Sequence, residues 1–245
     1  MVEYYPQFLR QFLGEEREGS NEFVDETTKH AAFIAGASQS ASAAAKGPEP
    51  YSRKERAQYN ETVRPLEEAA LISFAGQQGL WVSESDFINE YGDRKIGEGA
   101  EQKVYLSKDG KTVIKVNTGS FHGTWLDYFN RLIYHSFLFP STKYTTIGFT
   151  VENETMAVIS EQTFAILDKG ASREKVEGYL HEHGFVRTKS DDYYHSELGI
   201  ILEDLHDENV FLDENENLLF IDPVIYLETI DMSLNGKSIF RFPFT

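Results

Sequence analysis

Near the C-terminal end of the sequence, the run ILEDLHDENVFLDENENLLFIDPV, residues 201–224, sets Asp204, Asn209 and Asp222 at separations that a hairpin converts into proximity. Val210 to Leu212 and Leu218 to Ile221 are apolar strand candidates, and the DENEN between them is a polar turn. Pairing those strands brings Asn209, just before the first, beside Asp222, just after the second. Oxygen donors so placed suit a hard divalent cation, because Mg²⁺ takes one or two carboxylate or amide oxygens and completes its octahedron with water and substrate phosphates. Asp204, on the same loop as Asn209, then faces the metal-bound phosphate and can accept a proton from an attacking hydroxyl. The same residues also have an ordinary reading. Asp and Asn are common turn residues, and a chain with 40 acidic residues in 245 produces many chance carboxylate pairs.

A second element lies upstream, between Ile96 and Lys115. Gly97-Glu98-Gly99 sits between two strand candidates, where backbone without Cβ atoms can approach phosphates closely, and Val104 is placed to pack on a planar base. Lys115 follows the apolar pair Val113-Ile114 inside a strand candidate. Alone, a Gly-x-Gly is most often a tight turn and a strand lysine a solvated one. Their order, ahead of the acidic loop, gives them weight together.

The elements that must position these residues can be read from periodicity. Asp109-Gly110 marks a hairpin between two β-rich runs. Trp125, Phe129, Leu132, Ile133 and Phe137 form one apolar stripe of a helix from Thr124 to Phe139, closed by Pro140. Strands follow around Thr145 to Val151 and Thr155 to Glu161, then a helix from Ser172 to His183 with Gly184 as its stop. Residues 1–80 have a different texture. They contain an Ala/Ser-rich linker near 31–50 and a helix from Ser52 to Gly79 on the apolar positions Leu66, Ala69, Ala70, Ile72 and Phe74. From Trp81 onward short strands are expected. The histidines of His181-Glu182-His183 diverge on a helix and read as a solvated face.

These residues resemble protein kinases. Gly97, Gly99, Val104 and the Val-Ile-Lys ending at Lys115 are similar to the glycine-rich loop and phosphate-anchoring lysine. EDLHDEN, Glu203 to Asn209, is similar to the catalytic loop, and Ile221-Asp222-Pro223 stands in the place of the metal-binding Asp-Phe-Gly. The resemblance is strongest to the compact serine/threonine/tyrosine-kinase-like domain of polyvalent proteins from bacterial mobile elements, and it covers about Trp81 to Leu227. Aminoglycoside and choline phosphotransferases share the Asp-Leu-His-x-x-Asn and Ile-Asp-Pro variants.

The resemblance implies an α+β, protein-kinase-like two-lobed fold with a truncated C-terminal lobe, preceded by a helical N-terminal segment. Residues 81–164 would form the first lobe and 165–245 the reduced second. ATP and Mg²⁺ are the implied cofactors. Asp204 is the implied base, Asn209 and Asp222 the metal ligands, and Lys115 the contact to the α/β-phosphates. Backbone groups near Glu161 and Thr163 are the implied adenine contacts. His206 stands where kinases often carry a lysine near the transferring phosphate; orienting the loop is its other reading.

Three departures qualify the match. Gln102 replaces the third glycine. No helix-borne glutamate lies between Lys115 and the hinge, which leaves Asp127 as the candidate partner of that lysine. Only 23 residues follow Asp222, fewer than a peptide-binding platform needs. Three expectations follow: the N-terminal helical segment supplies part of the platform and the acceptor is a protein hydroxyl, the chain's own included; or the acceptor is a small molecule of the aminoglycoside or choline type; or the domain is a nucleotide-binding module without turnover.

Composition bounds the rest. A net charge of −17 opposes nucleic-acid backbones and anionic membrane surfaces, so neither is expected as a partner. No apolar run reaches the roughly 20 residues of a membrane span, and the N-terminus lacks a signal-peptide pattern, which predicts a cytoplasmic protein. The absence of cysteine removes thiolate chemistry and disulfides.

Overall fold

The computed structural model describes residues 53–100, 102–164, 170–207, 209–227, 229–230 and 239–240. The Ala/Ser-rich run near 31–50 lies outside them. The described residues divide into two compact units, one of residues 53–133 and 143–164, the other of residues 134–142 and those from 170 onward.

In the first unit, helix α1 (Arg53–Gln78) is rich in Ala, Glu, Gln and Arg, all strong helix formers, and carries Pro65 inside it. Its buried stripe is not the expected one. Leu66 and Ile72 are 46% and 44% exposed, whereas Val63, Glu67, Leu71 and Ala75, spaced four apart, are buried. Gly79, at φ +68°, ends the helix in the left-handed conformation that glycine tolerates. A second helix, α2 (Glu84–Tyr91), stands where only strands were expected. Its N-cap Ser83 accepts a hydrogen bond from the Asp86 N–H at 3.1 Å.

Five antiparallel strands follow: β1 (Lys95–Glu98), β2 (Gln102–Leu106), β3 (Thr112–Asn117), β4 (Thr145–Glu152) and β5 (Thr155–Thr163), in the spatial order β1-β2-β3-β5-β4. The Asp109-Gly110 turn joins β2 to β3 as expected, with Gly110 at φ +72° and the Asp109 carboxylate accepting from the Lys111 N–H. On one face of the sheet, Phe87 of α2 packs with Tyr105, Ile114, Val116, Ala157 and Ile159. On the other, Phe149 meets Phe129 of helix α3 (Trp125–Leu138), with ring centroids 6.3 Å apart. At the β4 edge, Trp81 bridges Phe149 in parallel; the Phe149 N–H donates to Leu80 O and the Val82 N–H to Phe149 O.

In the second unit, helix α4 (Arg173–Glu182) is capped by Ser172 and followed by Gly184 at φ +83°. Strands β6 (Val186–Lys189), β7 (Asp192–His195), β8 (Ile200–Glu203) and β11 (Val224–Leu227) make an antiparallel sheet ordered β11-β8-β7-β6. The hairpin expected from the sequence is present as β9 (Val210–Leu212) and β10 (Leu218–Phe220), and a two-residue pair, β12 (Thr229–Ile230) with β13 (Ile239–Phe240), closes the element list. Phe220 anchors this unit. It stacks on Phe139 at 4.2 Å between ring centroids and lies 5.5 Å from Tyr179. The architecture is mixed α/β with antiparallel sheets throughout.

Candidate active site

Cross-strand register gathers the upstream residues. Gly97 lies opposite Val104, Val104 opposite Lys115, Lys115 opposite Ser160, and Ser160 opposite Thr146, so all five share one face of the sheet. It is the face turned away from the α2 core, since Tyr105, Ile114 and Ile159 alternate with them. Lys115 is 2% exposed, and its ammonium donates to Tyr144 Oη at 3.1 Å, with the nitrogen 5.1 Å from that ring's centroid. Ser160 and Thr146 beside it are also buried. In the glycine turn, the Gly99 N–H donates to Gln102 O at 2.9 Å. Neither Gly97 nor Gly99 has a positive φ, and a Cβ built on either would come no closer than 3.9 Å to another described residue, so the turn itself does not require glycine there.

Glu161 and Thr163 lie on the opposite parity of β5. Glu161 sits between Ile114 and Thr145, and its carboxylate accepts from the Thr112 hydroxyl at 2.6 Å. Because β4 begins opposite Glu161, Thr163 runs past it and is paired with Thr112.

Asp127 lies in the first turn of α3, its N–H donating to Thr124 Oγ1 at 3.0 Å. That end of α3 is held by α1. The Glu67 carboxylate accepts from the Trp125 N–H at 2.7 Å and the Leu126 N–H at 3.4 Å. Arg64 donates to Thr118 O, Gly119 O and His122 O at 2.7–2.9 Å and lies over the Trp125 ring, while Glu68 accepts from the Trp125 indole at 3.1 Å. Burial raises the Glu67 carboxyl from 4.5 to about 7; the two backbone N–H donors and Arg64 oppose that rise, and Asp127 adds to it. Sequence reading missed this carboxylate, although an acidic residue in a four-residue apolar spacing was the available signal.

In the second unit the hairpin does what its pattern implied. The Ile221 N–H donates to Asn209 O at 2.9 Å, which sets Asn209 beside the residue preceding Asp222. Both the Asn209 and Val210 N–H groups donate to His206 O. Asn209 Nδ2 donates to Asp204 O at 2.9 Å and Asp204 Oδ2 at 3.2 Å, and His206 Nε2 lies 3.2 Å from Asp204 Oδ1. The same Nε2 also lies 3.4 Å from Asn209 Nδ2: the neutral ring accepts from the amide when the proton is on Nδ1 and donates to the carboxylate when it is on Nε2. Asp204 holds φ +64°, a conformation that costs a non-glycine residue energy, while its neighbour Leu205 is buried and pins the loop. Two further residues support the strand leading to Asp222: Thr142, fully buried, donates to Phe220 O at 2.5 Å, and its own carbonyl accepts from His135 Nε2 at 2.9 Å. Gly170 passes so close to this loop that a Cβ would stand 2.8 Å from Asp207 O.

Among the described residues, no cluster of three or more His, Asp or Glu could hold a metal ion by itself, and no helix is long and apolar enough to cross a membrane. Comparison with curated proteins returned no match. Residues 65–229 match the model of one family, described as the serine/threonine/tyrosine kinase found in polyvalent proteins. That match spans most of the chain and contains the hairpin, the glycine turn and Lys115, and the chain accordingly belongs to this kinase family.

Proposed function

We propose that the protein is an ATP- and Mg²⁺-dependent phosphotransferase of two-lobed, protein-kinase-like architecture that transfers the γ-phosphate to a protein hydroxyl, its own chain included among the acceptors. In this reading the backbone of Gly97 and Gly99 and the Lys115 ammonium meet the nucleotide phosphates, Val104 packs on the base, and Asp127 is the carboxylate nearest in role to a lysine partner. The adenine edge is read by backbone near Glu161 and Thr163, and the position of Thr163 beyond the start of β4 favours the latter.

The observation that carries the reading is the bond from the Ile221 N–H to Asn209 O, which draws Asn209 toward Asp222. The donor set fits Mg²⁺. With Nδ2 engaged by Asp204, the amide of Asn209 has its oxygen as the ligand end, and Asp222 adds a carboxylate; two protein oxygens are what this ion commonly takes where phosphates supply the rest. When bound, the ion neutralises charge on the phosphate oxygens. The remaining work falls to side chains. Asp204, exposed and held by Asn209 and His206, accepts the proton of the attacking hydroxyl, and His206 in its Nε2–H tautomer keeps the carboxylate oriented.

Incubation with γ-labelled ATP and Mg²⁺ tests this. Asp204→Ala is expected to lose label transfer by at least about 100-fold, the scale of a general base, while thermal stabilisation by nucleotide persists. Undiminished transfer by that variant would sink the assignment.

A further inference from the structure

The connection from β3 to α3, residues 118–124, leaves the strand that carries Lys115 and enters the helix that carries Asp127. Backbone groups along such a link need partners, and one face of α1 supplies them at both ends. Arg64 takes the carbonyls. Its guanidinium donates to Thr118 O, Gly119 O and His122 O, while the Gly119 N–H donates to Asn117 Oδ1 at 2.6 Å and so ties the same turn to the end of β3. Glu67 takes the amides. Its carboxylate, on a residue 1% exposed, accepts from the Trp125 and Leu126 N–H groups, which have no partner within α3 because they open the helix. One turn before Arg64, Asn60 lies against the middle of the link, where a Cβ on Gly123 would stand 2.4 Å from Asn60 Nδ2.

We propose that α1 is coupled to the nucleotide site: Arg64 and Glu67 are positioning residues that fix the β3–α3 connection, and with it the start of α3 relative to Lys115. This rests on reading Lys115 and Asp127 as members of that site. Neither Arg64 nor Glu67 is asked to touch nucleotide. The Arg64 donors sit on two nitrogens of a planar fork, a geometry that a lysine ammonium does not reproduce. Coupling between two sites is reciprocal, so whatever the grip of α1 adds to ATP binding, bound ATP adds to the grip.

Hydrogen exchange and ATP titration of the full chain test this. In the parent chain, ATP with Mg²⁺ is expected to slow amide exchange over residues 118–127. Arg64→Lys keeps the charge and loses the fork; Glu67→Ala removes the acceptor, and Glu67→Gln restores one. Arg64→Lys and Glu67→Ala are expected to speed exchange over 118–127 and to weaken ATP binding about fivefold or more, the lower end of common site-to-site coupling. Glu67→Gln is expected to recover most of that affinity, and in label transfer the loss should fall on the KM for ATP more than on kcat. Destabilisation alone leaves the affinity of the folded fraction unchanged, so variants that are folded at the assay temperature and bind ATP as the parent does overturn the coupling. A parent chain that binds ATP with no change in exchange over 118–127 overturns it too. A parent chain that does not bind ATP at all overturns the nucleotide reading on which it rests. Should Arg64→Lys fail to fold, the comparison of Glu67→Ala with Glu67→Gln decides.

Discussion

At the scale of single residues, Gly97 and Gly99 separate two demands that glycine can serve. Their φ angles are ordinary and a methyl group has room at both, so alanine there has no folded-state penalty to meet and trims the freedom of the unfolded chain. The double variant Gly97→Ala/Gly99→Ala is therefore expected to be as stable as the parent chain, or more stable by up to about 1 kcal/mol. Nucleotide is expected to register the change instead. Stabilisation by ATP and Mg²⁺ in a thermal melt should fall, because added Cβ atoms hold phosphates away from the backbone amides; unchanged stabilisation would remove these glycines from the site. The approach of Asn209 to the residue before Asp222 was legible because each flanks an apolar run whose strand period is short and clear. Tyr144 was not. Its pairing with Lys115 depends on the register of β3, β5 and β4, which no local spacing encodes.

At the scale of elements, α1 grips the start of α3 through a carboxylate that burial opposes. Glu67 titrates near 7 in the folded protein and near 4.5 when unfolded, so between those values the folded chain binds the extra proton. Stability from this group is full below about 4.5 and is lost as pH rises through about 7. Melting temperature should decline across that window, and Glu67→Gln, which keeps an acceptor for the Trp125 N–H, should flatten the decline. An equally steep profile in the variant would show that Glu67 is not its source. The family match begins at Pro65, one residue after Arg64, so a fragment cut at that boundary loses the side chain that ties three carbonyls of residues 118–122. Much of the element order was readable from sequence, including α3, α4, β4, β5 and the β9–β10 hairpin. Helix α2 was hidden because eight residues give too little periodicity, and its only strong signal was the capping Ser83. The stripe of α1 was misread because its buried face includes Glu67, which a search for apolar positions passes over.

At the scale of the whole molecule, a net charge of −17 sets the response to salt. Like charges repel across a compact surface, and the Debye length shortens from about 30 Å at 0.01 M to about 8 Å at 0.15 M. The melting temperature is expected to rise over that range of NaCl; a fall would mean that attractive ion pairs, such as Lys103 with Glu152, outweigh the repulsion. The bonds from Leu80 and Val82 to Phe149 carry a further consequence. Exposed strand margins recruit other chains, and here residues 80–82 occupy the margin of β4 at Phe149, with Gly148 set so close that a Cβ there would stand 3.0 Å from Leu80 O. Three residues between two helices thus act as a selvedge, a finished border that keeps the sheet from fraying into intermolecular pairing, and versions of the protein lacking them should reveal it as concentration-dependent self-association.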